Sequence, residues 1–376
     1  MALATCTPGA WAGAFGANNL AVVAVQTGGT IPPDGNAQQV SILEYKTSGG
    51  AAVQTITVTG LTQSNSQGLE GSLDLSANGR YLSFAGYNAA VGTGNVAGSV
   101  TTGTGGVLRV VGRIDVTTGV PNLSTTTTDF SKNSFRAAAS SDGSRFWMGG
   151  ASQSNDGFRT TTFGHTGSAT LLANQTTGAL HVFTNLVNNQ VQQELYGVNN
   201  QTFGAASIFK TTPSLPDGSG PTSIVPVVSG LGQAAGFVFL DQDNNGTLDT
   251  LYVADQLTGL RKFVLTGGLW TARGTATGLG GLTGVTGVVN GANNINLFVT
   301  TGNGTAGGNT LQRFTDIGGT NNISGGFTLL ATAASGTVFR GVAIVPEPGS
   351  LLLGGAACLG FAGMALRRYR NRVAAA

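Results

Sequence analysis

The stretches SANGRYLSFAG over residues 76–86 and SSDGSRFWMGG over residues 140–150 align without a gap. Each sets a glycine turn, Asn78-Gly79 or Asp142-Gly143, ahead of a strand rich in aromatic residues. A short turn of that type between two alternating runs signals a β-hairpin. Related hairpin patterns occur over 237–254 and 285–300.

A second phrase recurs between the hairpins, as GVLRVV from 106, GALHVF from 178, GLRKFV from 259 and TLQRFT from 310. Together the phrases give a unit of roughly 45–70 residues with about four strands, the arithmetic of a propeller blade. No amphipathic helix of useful length is expected across 18–344. The expected fold is therefore all-β, a β-propeller of six or seven blades, with seven preferred. FRGVAI at 339–344 matches the opening strand FRAAA at 135–139. Its partners would be the N-terminal runs at 20–25 and 40–45, so that the two ends of the chain close the ring and remove open sheet edges. A pair of β-sandwiches is the alternative; a solenoid would show a tighter period.

Composition agrees with many short strands and turns. Charged residues are 9% of the 376 and Gly accounts for 61, while hydrophobic residues make up 40%. That supply of apolar residues argues against disorder. Four of the 18 basic residues fall in the last ten positions, so the body has no basic patch and nucleic acid is not an expected partner. The two cysteines, Cys6 and Cys358, lie at opposite ends and suggest neither a disulfide nor a metal site.

The C-terminus has its own grammar. Val345-Pro346-Glu347-Pro348 precedes the apolar run LLLGGAACLGFAGMAL at 351–366, and Arg367, Arg368, Arg370 and Arg372 follow it. As a helix the run spans about 24 Å, short of a hydrocarbon core of about 30 Å, and snorkelling arginines would make up the difference. The clustered arginines predict a cytoplasmic C-terminus. This order of parts resembles the PEP-CTERM sorting domain of Gram-negative bacteria. The resemblance implies processing by an exosortase near the Pro-Glu-Pro motif, a transient or permanent single-pass membrane anchor, and delivery to the outer surface or an exopolysaccharide matrix. The chain then divides into an N-terminal segment (1–17), a propeller-like domain (18–344) and a sorting and anchor segment (345–376). Residues 1–16 carry no Lys or Arg, so an export signal is absent or incomplete there, and the expectation is either a true start further upstream or a lost signal peptide.

The sharpest local motif is DQDNNGTLD at 241–249. Oxygen donors at alternate positions around a sharp glycine turn suit Ca²⁺, a hard cation. The strands on either side give it a likeness to the calcium hairpin of FG-GAP propellers. By that resemblance Asp241, Asp243, Asn245 and Asp249 donate side-chain oxygens and Thr247 its carbonyl. Tyr252 stands where an EF-hand needs its bidentate Glu, so this is no EF-hand.

Catalytic signatures are scarce. His165 and His181 lack a second ligand at metal spacing and are expected to be structural. No nucleophile elbow is present. Glu44, Glu70 and Glu194, the glutamates outside the tail, form no evident acid–base pair. The Gly-rich stretch at 278–284 precedes a strand, so it is no phosphate cradle. Trp147 and Trp270 are expected in the core, while Trp11 and these two are the candidates for sugar stacking. The expectation is a non-enzymatic surface module for adhesion or for binding exopolysaccharide. The alternative is a secreted propeller hydrolase or lyase acting on extracellular polysaccharide. Ionisable residues gathered at one mouth of the channel would favour the enzyme, and an apolar channel would exclude it.

Overall fold

The computed structural model describes residues 13–27, 35–66, 68–151, 157–200, 205–291, 294–302 and 309–346. The architecture is all-β and propeller-like, built from antiparallel sets of four strands. β1 (Leu20–Gln26), β2 (Ala37–Tyr45) and β3 (Gln54–Ser64) pair in chain order. β4 (Leu73–Leu75), β5 (Tyr81–Tyr87), β6 (Arg109–Asp115) and β7 (Val120–Thr127) follow. The third set is β8 (Phe135–Ala139), β9 (Arg145–Gly150), β10 (Phe158–Thr162) and β11 (Thr170–Ala173). The fourth is β12 (Thr177–Val187), β13 (Gln190–Asn199), β14 (Ala206–Thr212) and β15 (Ser223–Leu231). The fifth is β16 (Ala234–Leu240), β17 (Thr250–Asp255), β18 (Gly259–Thr266) and β19 (Leu269–Ala276). The sixth is β20 (Leu282–Val289), β21 (Ile295–Thr301), β22 (Thr310–Asp316) and β23 (Gly325–Thr332).

β24 (Thr337–Ile344) returns to the start of the chain and pairs antiparallel with β1, Leu20 opposite Ile344 and Val25 opposite Val338. It becomes the inner strand of the first set, the closure that the sequence led one to expect. The first two sets are joined into one eight-stranded sheet through the single pair Thr62 and Tyr87. Both hairpins that decided the fold are present: β4 pairs β5 around Asn78-Gly79, and β8 pairs β9 around Asp142-Gly143. Gly79 and Gly143 take φ of +72° and +80°, the left-handed region that glycine enters without strain, within five-residue connections.

The described strands give six sets, not the preferred seven. The recurring glycine phrase accounts for the excess. Three of its four copies fall on third strands, β6, β18 and β22, but the copy from 178 lies on the inner strand β12. A phrase that marks two different positions overcounts units.

Inner strands pack in a closed sequence, β24 on β4, β4 on β8, β8 on β12, β12 on β16, β16 on β20 and β20 on β24. Strands flanked by sheets on both sides lose the alternation of a half-exposed strand, and β16 (AAGFVFL) and β17 (TLYVAD) are buried almost throughout. The outer strand β19 is mostly exposed by contrast. This layout agrees with the low share of charged residues, since the inner and second strands are mostly buried while the outer strand is mostly exposed.

Near the axis three inner strands approach through glycine. A Cβ on Gly236 would sit 3.2 Å from the Gly284 Cα, and one on Gly284 would sit 3.0 Å from the Gly341 Cα. One on Gly341 would collide with the Leu73 backbone nitrogen at 2.4 Å. At this level a void of about 10 Å³ remains, bounded in part by Leu73, His181 and these glycines. The channel is pinched there, with a wider mouth on either side.

The expected membrane span at 351–366, Glu347, Pro348 and the arginines from Arg367 to Arg372 lie outside the described residues. Among the described residues the one helical element is a 3₁₀ turn at Val96–Gly98, and no helix is long and apolar enough to cross a membrane.

Candidate active site

The mouth at the C-terminal ends of the inner strands opens into a cavity of about 320 Å³. Two ionisable side chains line it, Asp74 from the middle of β4 and His181 from β12. The register of the three-residue strand Leu73-Asp74-Leu75 places the lone carboxylate among apolar neighbours, where an unpaired charge would be costly. It is met there: His181 Nδ1 donates to Asp74 Oδ1 at 3.0 Å, and the Ser140 amide donates to Oδ2 at 3.0 Å. The side chains retain 2% and 14% exposure, so the pair sits at the cavity wall and not in bulk water. Burial pushes the Asp74 carboxyl up, against hydrogen bonds from His181, Ser140 and Val182 that pull it down. With Nδ1 donating to the carboxylate, Nε2 is left as the basic nitrogen of the neutral ring.

Aromatic rings fix the imidazole from the other side. Phe237 meets it edge-to-face at 5.0 Å, and Phe183 lies 5.9 Å away. The same cavity is lined by Phe239 and by the hydroxyl residues Ser76, Thr184 and Thr286. Such a cavity, apolar with a few convergent polar groups, has the form of a small-molecule site.

The sequence-predicted candidates are distributed differently. Asp241, Asp243 and Asp249 converge in the loop between β16 and β17, with carboxylate oxygens within 4.8 Å of one another. Those oxygens already accept loop amides: Gly246 N donates to Asp241 at 2.6 Å, Asn245 N to Asp241 at 3.0 Å, and Gln242 N to Asp249 at 3.0 Å. Asn245 bonds Asp243 through its side-chain amide at 2.9 Å and accepts from Thr247 N at 2.7 Å. The five residues are thus brought together in one loop, on the same side of the molecule as the His–Asp pair.

Val345 is buried and tied down, its amide donating to Asn19 O at 2.9 Å and its carbonyl accepting from Asn18 N at 2.8 Å. Pro346 lines the cavity. The start of the expected sorting motif is therefore part of the folded body.

His165 sits at the surface, its Nε2 3.1 Å from Ser168 O. Trp147 is fully buried and donates to Pro216 O at 2.7 Å, and Trp270 packs edge-on against Phe239 at 5.2 Å. Both are packing residues; Trp11 lies outside the described residues. Among the glutamates, Glu44 is engaged by Gln54 at 2.6 Å and Glu194 by Tyr196 at 2.8 Å. Sequence reasoning passed over Asp74 and read His181 as structural. The available signal was an isolated ionisable residue inside an apolar inner strand, as in LDL at 73–75 and ALHVF at 179–183.

No protein-family model matches the sequence, and no curated protein matches it. Solved structures similar to the chain include a provisionally assigned 6-phosphogluconolactonase from Bacteroides uniformis, 14% identical, with 84% of this chain and 82% of that one covered and a TM-score of 0.44. A functionally unknown protein from Desulfotomaculum acetoxidans is 10% identical, covering 84% and 80%, with a TM-score of 0.41. A gluconolactonase from Xanthomonas campestris is 11% identical, covering 86% and 97%, with a TM-score of 0.40. The expectation of a non-enzymatic adhesion module is corrected here. The channel mouth, instead of being apolar throughout, holds the ionisable pair Asp74 and His181.

Proposed function

We propose that the chain is a six-bladed propeller hydrolase that opens an ester or lactone carbonyl at the cavity holding Asp74 and His181. One observation carries this reading, the 3.0 Å hydrogen bond that orients His181 at the wall of a 320 Å³ cavity. In the proposed step a water oxygen attacks the acyl carbon while its proton passes to His181 Nε2. The tetrahedral intermediate then breaks the acyl C–O bond, and the leaving oxygen takes that proton back. One water is consumed, giving a carboxylic acid and an alcohol. Asp74 holds the imidazole in the required tautomer and stabilises its protonated form, the positioning role of a buried carboxylate beside a catalytic His. Phe183, partly exposed at the cavity wall, offers an apolar surface for a sugar-like ring.

The tail supports a place for this activity outside the cytoplasm. By its resemblance to PEP-CTERM segments, an exosortase would act on the Pro346–Pro348 region and the substrate would be an ester or lactone of the extracellular matrix. Ca²⁺ in the 241–249 loop would brace the rim of the same mouth and take no part in the chemistry. The test is hydrolysis of a panel of δ-lactones and sugar esters by the full chain and by His181→Gln. Turnover that disappears in the variant supports the reading; turnover unaffected by it removes the His–Asp site from consideration.

A further inference from the structure

A cleft of about 450 Å³ opens at the outer edge of the ring, between β19 of the fifth set and the connection from β22 to β23 in the sixth. Arg273 from β19 lines it together with Ile317, Gly318, Asn321, Asn322 and Ser324 from the connection. That connection is held in one shape. Asp316 Oδ1 accepts the Gly318 and Ser324 amides at 2.8 and 3.0 Å, the Ile317 amide donates to Ser324 O at 2.9 Å, and the Asn321 amide donates to Gly318 O at 2.9 Å. Ile323 N then donates to Arg273 O at 2.7 Å, which ties the connection to β19. Walls fixed by backbone bonds spare a ligand the cost of ordering a loop.

Arg273 brings a charge that its surroundings do not balance. Its Nη2 donates to Thr266 Oγ1 at 3.4 Å, longer than an ordinary N–H···O bond, and its buried Nε has no hydrogen-bond partner among the described residues. The cleft lining holds no carboxylate. Asp316, which braces the connection, is already matched by Lys262 at 2.7 Å. Arg80 and Arg261, by contrast, have acidic partners in Asp115 at 3.0 Å and Asp255 at 3.8 Å. Guanidinium donors are ordinarily satisfied, and one left over in the wall of a cleft marks a place where a further acceptor belongs. Beside it Asn321, Asn322 and Ser324 are exposed, and their side chains bond no described residue. Ile317, 60% exposed, adds an apolar surface.

We propose that this cleft binds a uronate unit of an acidic polysaccharide, its carboxylate on the Arg273 guanidinium and its hydroxyls on the Asn321 and Asn322 amides. The planar fork of a guanidinium matches the two oxygens of a carboxylate. A side-chain amide offers both donors and an acceptor, so two adjacent amides suit a ligand rich in hydroxyl groups. Ile317 meets the apolar C–H face of the sugar ring. Because the cleft opens along the edge of the molecule, a unit inside a longer chain can enter it with both neighbours outside. The cleft shares no lining residue with the His–Asp cavity, and the proposal does not depend on the hydrolase reading.

The experiment is calorimetric titration of the full chain, at constant ionic strength, with trigalacturonate, with the neutral maltotriose and with sodium sulfate. Saturable binding of trigalacturonate is expected, with maltotriose weaker by about 10–100-fold, the worth of a charge-assisted hydrogen bond. Arg273→Gln should weaken trigalacturonate by a similar factor and leave maltotriose unchanged. Asn322→Asp sets a carboxylate in the cleft at an exposed position, so it keeps the fold and should also weaken the acidic ligand. His181→Gln should bind as the parent chain does. Trigalacturonate bound no better than maltotriose would overturn the proposal, as would an affinity that survives both Arg273→Gln and Asn322→Asp. Loss of binding in His181→Gln would place the ligand elsewhere and overturn it too. Sulfate bound as tightly as trigalacturonate would overturn the sugar assignment.

Discussion

Lys262 Nζ lies 2.7 Å from Asp316 Oδ2, and both side chains are fully buried. The pair links β18 to the end of β22, tying the fifth set to the sixth. The Tyr252 hydroxyl donates to the same Asp316 oxygen, while the Gly318 and Ser324 amides donate to the other at 2.8 and 3.0 Å. Lys262 also donates to Gly319 O. A buried ion pair satisfied on all sides contributes little net stability over apolar packing, but removing one partner strands the other. Lys262→Met is therefore expected to cost about 3–5 kcal/mol. Chemical denaturation would check this, and a loss below about 1 kcal/mol would mean that Asp316 finds water or another donor.

Glu70 makes stability depend on pH in a direction opposite to that of most carboxylates. Its value rises from 4.5 to about 7 through burial, so the folded chain holds this proton more tightly than the unfolded chain. The corresponding stability is fully present below pH 4.5 and is lost as pH climbs through about 7. The full effect is on the order of 3 kcal/mol. Denaturation curves at pH 5 and pH 8 should show this loss in the parent chain and its absence in Glu70→Gln, which should be the more stable of the two at pH 8.

The His–Asp reading separates two roles by kinetics. On whichever lactone or ester is turned over, His181→Gln should lower kcat by about 10²–10⁴-fold. Asp74→Asn should do so as well and also change the shape of the pH profile, because the amide no longer stabilises the protonated ring. A purely structural Asp74 would instead lower melting temperature and leave the pH profile of the remaining activity unaltered.

Gly341 has no room for a methyl group, since its Cβ would fall 2.4 Å from Leu73 N and 2.5 Å from Gly71 O. Backbone atoms cannot swing aside as a flexible side chain can. Gly341→Ala should destabilise by about 1–3 kcal/mol or more, with the cost rising if β24 must slide away from β4. Melting temperature measures it directly. Gly326→Ala makes a suitable comparison, because nothing lies within 4 Å of its Cβ position.

In the 241–249 loop, added Ca²⁺ should raise the melting temperature of the parent chain and leave Asp243→Ala unmoved. A parent chain whose melting is unaffected by millimolar Ca²⁺ would remove the metal from the loop and leave the amide bonds to Asp241 and Asp249 as its full explanation.

The all-β architecture was legible because hairpin turns and strand alternation are local properties, and SANGRYLSFAG and SSDGSRFWMGG carry both within eleven residues. Even the pairing of β24 with β1 could be read, since FRGVAI repeated the inner-strand phrase FRAAA with no partner after it. The number of sets was harder, because a third strand and an inner strand share the same apolar-basic spelling. The site was harder still. Asp74 and His181 are 107 positions apart and meet only because β4 and β12 line the same channel. Nothing local announces such a meeting, whereas the Asp241 loop advertises itself in nine consecutive residues and is correspondingly easy to name.

The junction of β24 with β1 fixes when the molecule can be finished. The strand that lies innermost in the first set is the last of the described strands to be made, so a chain synthesised only as far as β23 holds five complete sets and one that lacks its axial strand. Joining it brings together segments more than 300 residues apart, although the entropic penalty grows only as the logarithm of that span. Until residues 337–344 arrive, β1 and the inner face of β4 stand unshielded. The ring is thus completed only when residues 337–344 are available, after the strands of the other five sets.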